Sequence, residues 1–202
     1  MHVVRPLRGL GPPHCVLWPQ MQALYGRVIE LKPIMSASNA VEIIKYLNNC
    51  DINLHVDGGW GVDALLNHQT REHEDLDIAI KHSDTPKLRK VLANRGFEEI
   101  PWGDTWECNY VLDNKAGLRV DVHSYVFDED GQFVFGCEYR PESLTGNGKI
   151  DGFEVECIEP LSLVNCHTGY EFREKDHMDV WALCERFNIE VPEDHRHYKR
   201  NA

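Results

Sequence analysis

Basic residues are in short supply: 21 Lys and Arg stand against 33 Asp and Glu in a chain of 202 residues, a formal net charge of −12. A protein that grips a nucleic-acid backbone carries a basic face or stripe. Here Lys and Arg are outnumbered and dispersed, so a nucleic-acid partner is not expected. The same surplus repels anions and attracts cationic small molecules. Long apolar runs are missing too, and nothing approaches the roughly 20 residues a membrane-crossing helix requires. No C-x-x-C pair occurs, and the seven Cys follow no ligand or disulfide spacing. That argues against a zinc site and a disulfide framework, and fits reduced thiols in a cytoplasmic protein.

Residues 1–34 lack sustained periodicity and hold Pro6, Pro12, Pro13, Pro19 and Pro33. They also lack the charged start, apolar core and small-residue cleavage site of a signal peptide. We read them as an N-terminal extension or flexible arm ahead of a functional unit that opens near Met35. From there the pattern is regular. Ser36 or Ser38 can cap a helix through Val41, Ile44 and Leu47. Leu54–Val56 reads as a strand running into Asp57-Gly58-Gly59-Trp60, and a second helix begins near Trp60. Leu76–Ile80 is a strand, and Ser83 or Asp84 caps a helix through Leu88, Val91 and Leu92, with Gly96 at its C′ position. A hairpin joins Trp106–Leu112 to Leu118–Phe127, and short strands are expected at Gln132–Phe135 and Phe153–Ile158. Helices over Pro160–His167 and Asp176–Phe187 close the chain. The fold class is α/β (α+β), a mixed sheet flanked by helices: a catalytic domain over 35–159, then a small helical segment over 160–202 with a polar tail.

Chemistry concentrates in Asp75-Leu76-Asp77. Side chains alternate along a strand, so both carboxylates share one face. Two like charges so placed cost stability unless a cation lies between them, and hard oxygen ligands suit Mg²⁺. Two solvated Asp at a strand end would look the same. Gly58-Gly59, after a strand and opening a helix, lets a backbone approach phosphate closely, although a plain strand-to-helix turn is about as common. On Leu118–His123 the same alternation places Arg119, Asp121 and His123 opposite the core. Asp121 could complete a two-metal site or accept a proton from an attacking hydroxyl.

Gly-Gly at a helix start, then D-x-D on a strand, then one later Asp, resembles the DNA polymerase β-like nucleotidyltransferase superfamily. Gly58-Gly59-Trp60-Gly61-Val62-Asp63 and Arg71-Glu72-His73-Glu74-Asp75-Leu76-Asp77-Ile78 are similar to the blocks of its lincosamide and aminoglycoside-2″ nucleotidyltransferases. Asp121-Val122-His123, Gly169-Tyr170 and Asp176-His177-Met178-Asp179 resemble the lincosamide enzymes. The resemblance runs in order from about Ser38 to Leu183. It implies a polymerase β-like fold and a metal-dependent nucleotidyltransferase of the EC 2.7.7 type. Such an enzyme moves an NMP, AMP most readily, from Mg-NTP to a hydroxyl of a lincosamide- or aminoglycoside-like antibiotic and releases pyrophosphate.

The resemblance further implies that Asp75 and Asp77 bind metal, two Mg²⁺ ions in all, and that Asp121 is the third ligand or the general base. Gly58 and Gly59 would cradle the β- and γ-phosphates of the NTP, with ATP as co-substrate. Arg71 and His73 would contact phosphate or orient an Asp, and Lys175 would reach the triphosphate. Asp63 and Asp176 read as caps or supporting partners, Trp60 as a packing residue, and His195 and His197 as parts of a disordered tail. Trp102, Trp106 and Tyr110 either line the acceptor pocket or belong to the core. Long apolar strands in a short domain are compatible with a homodimer. Two alternatives stay open: transfer to a protein or tRNA acceptor, and a catalytically silent nucleotide- or partner-binding protein.

Overall fold

Ser36 opens the first described helix: its side chain accepts a hydrogen bond from Asn39 N and caps α1, Ala37–Asn49, which buries Ala40, Val41, Ile43, Ile44 and Leu47 on one stripe. The computed structural model describes residues 34–101, 103, 105–168 and 171–198. The readings placed on residues 1–33, Trp102, Gly169 and Tyr170 lie outside the described residues. After α1 come β1 (Leu54–Val56), α2 (Gly58–Leu66), β2 (Leu76–Lys81), α3 (Thr85–Ala93) and β3 (Phe97–Ile100). The hairpin β4 (Asn109–Asn114) and β5 (Arg119–Phe127) follows, then β6 (Phe133–Gly136), β7 (Gly146–Ile150) and β8 (Phe153–Cys157). Helices α4 (Pro160–Cys166), α5 (Glu174–Phe187) and α6 (Glu193–Arg196) complete the described chain.

The strands form one mixed sheet in the order β3-β4-β5-β2-β1-β8-β7, with β6 pairing β5 beyond the end of β4. β2 runs parallel to β5 and antiparallel to β1. Leu76, Ile78 and Ile80 on β2, with Val120 and Val122 on β5, are buried in the core. Burying that face fixes the register, because a slip of one residue would turn it outward. The expected mixed α/β sheet with a helical C-terminal part is therefore what the chain forms. α4 and α5 pack on each other and on α2.

Three local expectations fail for identifiable reasons. β3 and β7 were not foreseen: Phe97-Glu98-Glu99-Ile100 buries only Phe97, and Gly146-Asn147-Gly148-Lys149-Ile150 is glycine-rich and polar. Both are strands because a neighbour pairs with them, β4 and β8 respectively, which is tertiary context overriding local propensity. Gly96 lies two positions past the α3 C-cap, Asn94, and not at C′. The tail is not disordered at His195: this side chain is fully buried, its Nε2 donates to the His167 carbonyl at 2.6 Å, and its Nδ1 lies 2.9 Å from His177 Nδ1. His197 caps α6 and stays exposed.

Candidate active site

β1 ends at Val56, and Asp57 turns the chain into α2 with its own carboxylate as the cap: Oδ1 accepts from Gly58 N at 2.7 Å. Gly58 takes φ +53°, a left-handed conformation that a Cβ disfavours. Space makes the same demand, because a Cβ there would lie 2.2 Å from Asp77 Oδ2. The start of α2 is thus pressed against a carboxylate of the adjacent strand. Gly59 is equally confined, since its Cβ would lie 2.4 Å from both Arg71 Nη2 and His73 Nδ1.

β2 and β5 pair in parallel with Asp77 directly opposite Asp121 and Ala79 opposite His123. Ligand atoms of Asp77, Asp121 and His123 all lie within 4.8 Å of one another. Burial, then the Asp75 charge, then those of Asp121 and Asp57 push the Asp77 carboxyl up to about 8, although His123 pulls the other way. A carboxylate so crowded by others is relieved by a cation. The donor set, two carboxylates and an imidazole with oxygen predominant, fits a divalent ion. Asp75 stands half-buried at the bend just before β2, so its charge reaches Asp77 without its joining that cluster.

His123 bridges two acids. Its Nε2 lies 3.5 Å from Asp121 Oδ1, and its Nδ1 lies 3.5 Å from Asp57 Oδ2. Burial opposes protonation of His123, but the hydrogen bond and charge of Asp57, with Asp121 and Asp77, outweigh it and lift the imidazole to about 9. Asp57 moves the opposite way: burial raises its pKa, yet His123, Tyr139 and Gly58 N–H together lower it below the ordinary carboxylate value. The buried Tyr139 hydroxyl donates to Asp57 Oδ2 at 2.5 Å and lies 3.3 Å from His123 Nδ1. Sequence reasoning assigned Asp57 and Tyr139 no role. An Asp before a helix start is an N-cap signal and could have been used. Tyr139 is 82 positions from Asp57, and no local pattern connects them.

The other sequence-selected residues frame the glycines. Arg71 donates through Nε and Nη2 to the Asp179 carboxylate of α5, at 3.1 and 2.7 Å. His73 is buried, 2.5 Å from Asp63 Oδ2, and its ring lies 4.4 Å from that of Trp60. Asp63 also accepts from Thr70 N and Oγ1, at 2.9 and 2.6 Å, so it supports the loop before β2 as expected. Asp176 accepts from Arg173 N at 2.7 Å and closes the first turn of α5. Lys175 is half-buried in that turn, one helical turn ahead of Asp179. Trp60 is core, and so is Tyr110, which has the Arg89 guanidinium 3.8 Å above its ring. Trp106 is exposed. The structure thus gathers Asp77, Asp121 and His123 on one side of Gly58-Gly59, and Arg71 and His73 on the other.

Comparison with known proteins gives concordant results. The family model described as aminoglycoside-2″-adenylyltransferase matches residues 39–183. A lincosamide resistance protein of Staphylococcus haemolyticus is 28% identical over 150 residues, covering 70% of this chain and 89% of that protein. A 2″-aminoglycoside nucleotidyltransferase of Escherichia coli is 28% identical over 65 residues, 31% of this chain and 37% of the other. Among solved structures, lincomycin-bound lincosamide antibiotic adenylyltransferase LnuA superposes with a TM-score of 0.65 at 22% identity, over 78% of this chain and 99% of that one. ANT(2″)-Ia in complex with adenylyl-2″-tobramycin gives 0.62 at 16% identity, over 75% and 88%. At such identities the superpositions speak for the fold.

Proposed function

This chain belongs to the aminoglycoside-2″-adenylyltransferase family, and on that premise we propose that it is a metal-dependent nucleotidyltransferase moving an NMP from an NTP to a hydroxyl of a small molecule. The observation that carries the reading is the pairing of Asp77 with Asp121 across parallel strands, with the Gly58 backbone against Asp77. Asp77 and Asp121 hold the cation, with Asp75 beside them; we take the resident species to be two Mg²⁺ ions. When bound, divalent metal supplies charge neutralisation at the phosphate oxygens. The amides at the start of α2, Gly58 and Gly59, receive the β- and γ-phosphates of ATP. Arg71 and Lys175 supply positive charge around them, which a strongly acidic protein needs locally, and His73 contacts phosphate or orients Asp63.

The acceptor oxygen forms a bond to the α-phosphorus, the bond from that phosphorus to the bridging oxygen of the β-phosphate breaks, and pyrophosphate leaves. Asp121 takes the hydroxyl proton, with His123 3.5 Å away to balance its charge. Support for the acceptor class comes from the relatives' names and from the net charge of −12, which favours a cationic antibiotic, a lincosamide or an aminoglycoside. We place the transfer chemistry in residues 35–159 and the holding of Arg71 in 160–202, with 1–34 dispensable for folding; a truncated chain beginning at Met35 that fails to fold would refute the last point. The enzyme is assigned to the cytoplasm, without a nucleic-acid partner, and a homodimer is compatible with it.

The test is Mg²⁺-dependent pyrophosphate release from each NTP with a panel of lincosamides and aminoglycosides, using Asp121→Ala as control. Release that requires ATP and one acceptor and vanishes in the variant supports the reading. NTP binding without release across the panel removes the antibiotic acceptor, and absence of NTP binding removes the enzyme.

A further inference from the structure

At the junction of β6 and β4, two cysteines share the place of one residue. Ser124 of β5 would ordinarily exchange both backbone hydrogen bonds with a single partner across an antiparallel ladder. Here its N–H donates to the Cys108 carbonyl at 2.7 Å, while its carbonyl accepts from Cys137 N at 2.9 Å. β6 pairs Tyr125 with Gly136 and ends; β4 pairs His123 with Asn109 and begins. The two strands are therefore collinear along one side of β5, and Cys137 and Cys108 meet where one stops and the other starts. The Cys137 thiol donates to the Cys108 carbonyl oxygen at 3.6 Å. Two residues that share the backbone bonds of one ladder position are near neighbours, the placement a disulfide requires of its α-carbons, which lie roughly 4.4–6.8 Å apart.

We propose that Cys108 and Cys137 form a site of reversible disulfide modification, oxidised by low-molecular-weight disulfides of the glutathione type. Cys137 is half-buried and Cys108 buried, so Cys137 is the entry thiol. Its thiol loses a proton, the sulfur attacks one sulfur of the small disulfide, and the departing thiolate takes up the proton. Cys108 then loses its proton and attacks the mixed disulfide at Cys137, and the second small thiol leaves with that proton. Two protein thiols are oxidised and one disulfide is reduced to two thiols, which balances atoms and electrons. Burial and the neighbouring Cys108 push the Cys137 thiol up to about 12, so the exchange is slow at neutral pH and accelerates as pH rises.

The location gives the bond a consequence. Tyr139 N donates to the Cys137 carbonyl at 2.8 Å, and the Tyr139 hydroxyl holds Asp57 beneath the active site. A bridge from Cys137 to Cys108 ties that support to the start of β4. It closes a loop between positions 29 residues apart.

The full chain is equilibrated with oxidised glutathione or with dithiothreitol, free thiols are alkylated, and non-reduced peptides are mapped by mass spectrometry. The expected result is a cross-linked Cys108–Cys137 peptide in most oxidised molecules, absent after reduction, from monomeric protein with a raised thermal midpoint. Cys137→Ser should abolish both the cross-link and the rise. Alkylation of both thiols after oxidation overturns the proposal, as does glutathione confined to the exposed Cys166 and half-buried Cys50. The wild-type peptide map decides the matter even if the variant folds poorly.

Discussion

Two groups of charged side chains flank Gly58-Gly59, and they are built on opposite rules. Beside Gly59 each polar side chain has its own partner: Arg71 with Asp179, His73 with Asp63. Beside Gly58 the acids are gathered against one another, Asp77 facing Asp121 with Asp75 and Asp57 close by, and His123 is shared among them. The first group resembles the interior of any stable protein, where buried charges are paired. The second holds an unfavourable arrangement that only added positive charge resolves. One-to-one pairing marks the frame, and crowded like charge marks the site.

The comparison can be broken from either side. Asp121→Ala should produce the largest effect: if Asp121 is the proposed ligand and proton acceptor, its loss lowers transfer by about 10³-fold or more, equivalent to about 4 kcal/mol of barrier. Its thermal stability should stay level or rise, since a repelling charge has gone. A melting curve beside a pyrophosphate assay checks both halves, and wild-type turnover would remove Asp121 from the site. Asp179→Ala should do the reverse. It leaves the Arg71 guanidinium mostly buried and unpaired, at a cost of about 3 kcal/mol in denaturant titration. Activity per folded molecule should fall far less than in Asp121→Ala.

Gly59→Ala probes the seam between the groups. The added methyl meets Arg71 and His73 at 2.4 Å, so we expect a loss of about 1–3 kcal/mol. The same change should weaken NTP binding, measured by calorimetry; an unperturbed variant would mean that the α2 start is looser than described. The smallest effect is on pH. A carboxyl raised from its ordinary value to about 8 favours the folded, metal-free protein below the ordinary value, and that contribution is lost as pH rises to about 8. On the proposed reading, a divalent cation bound there would displace the Asp77 proton. Metal affinity should therefore increase from pH 6 to 8 and level off above, with Asp77→Asn flattening the profile; a profile already flat in wild type would count against the crowding.

Much of the frame was legible in the sequence because its signals are local. Ser36 caps α1, β1 spans Leu54–Val56, and the alternation in Leu118–His123 put Asp121 and His123 on the correct face. Local signals also put Gly58 and Gly59 at a helix start and Asp77 on a strand. What was not legible depends on partners far along the chain. β7 is a strand because β8 pairs with it, and His195 is buried because His177, Phe172 and Trp181 surround it. Tyr139 reaches Asp57 across 82 positions, so only the folded chain reveals it. Arg71 was picked out by its motif, but its partner Asp179, 108 positions away, came to light through the α5 packing.

The alternation that buries Leu76, Ile78, Val120 and Val122 is the same one that turns Asp77 and Asp121 toward each other. A one-residue slip of β2 against β5 would send the carboxylates inward and the aliphatic chains outward together. Cation affinity therefore serves as an error-detecting readout of strand pairing: a chain that has mispaired forfeits its ion along with its core, and ion binding withdraws correctly paired molecules from the misfolded pool.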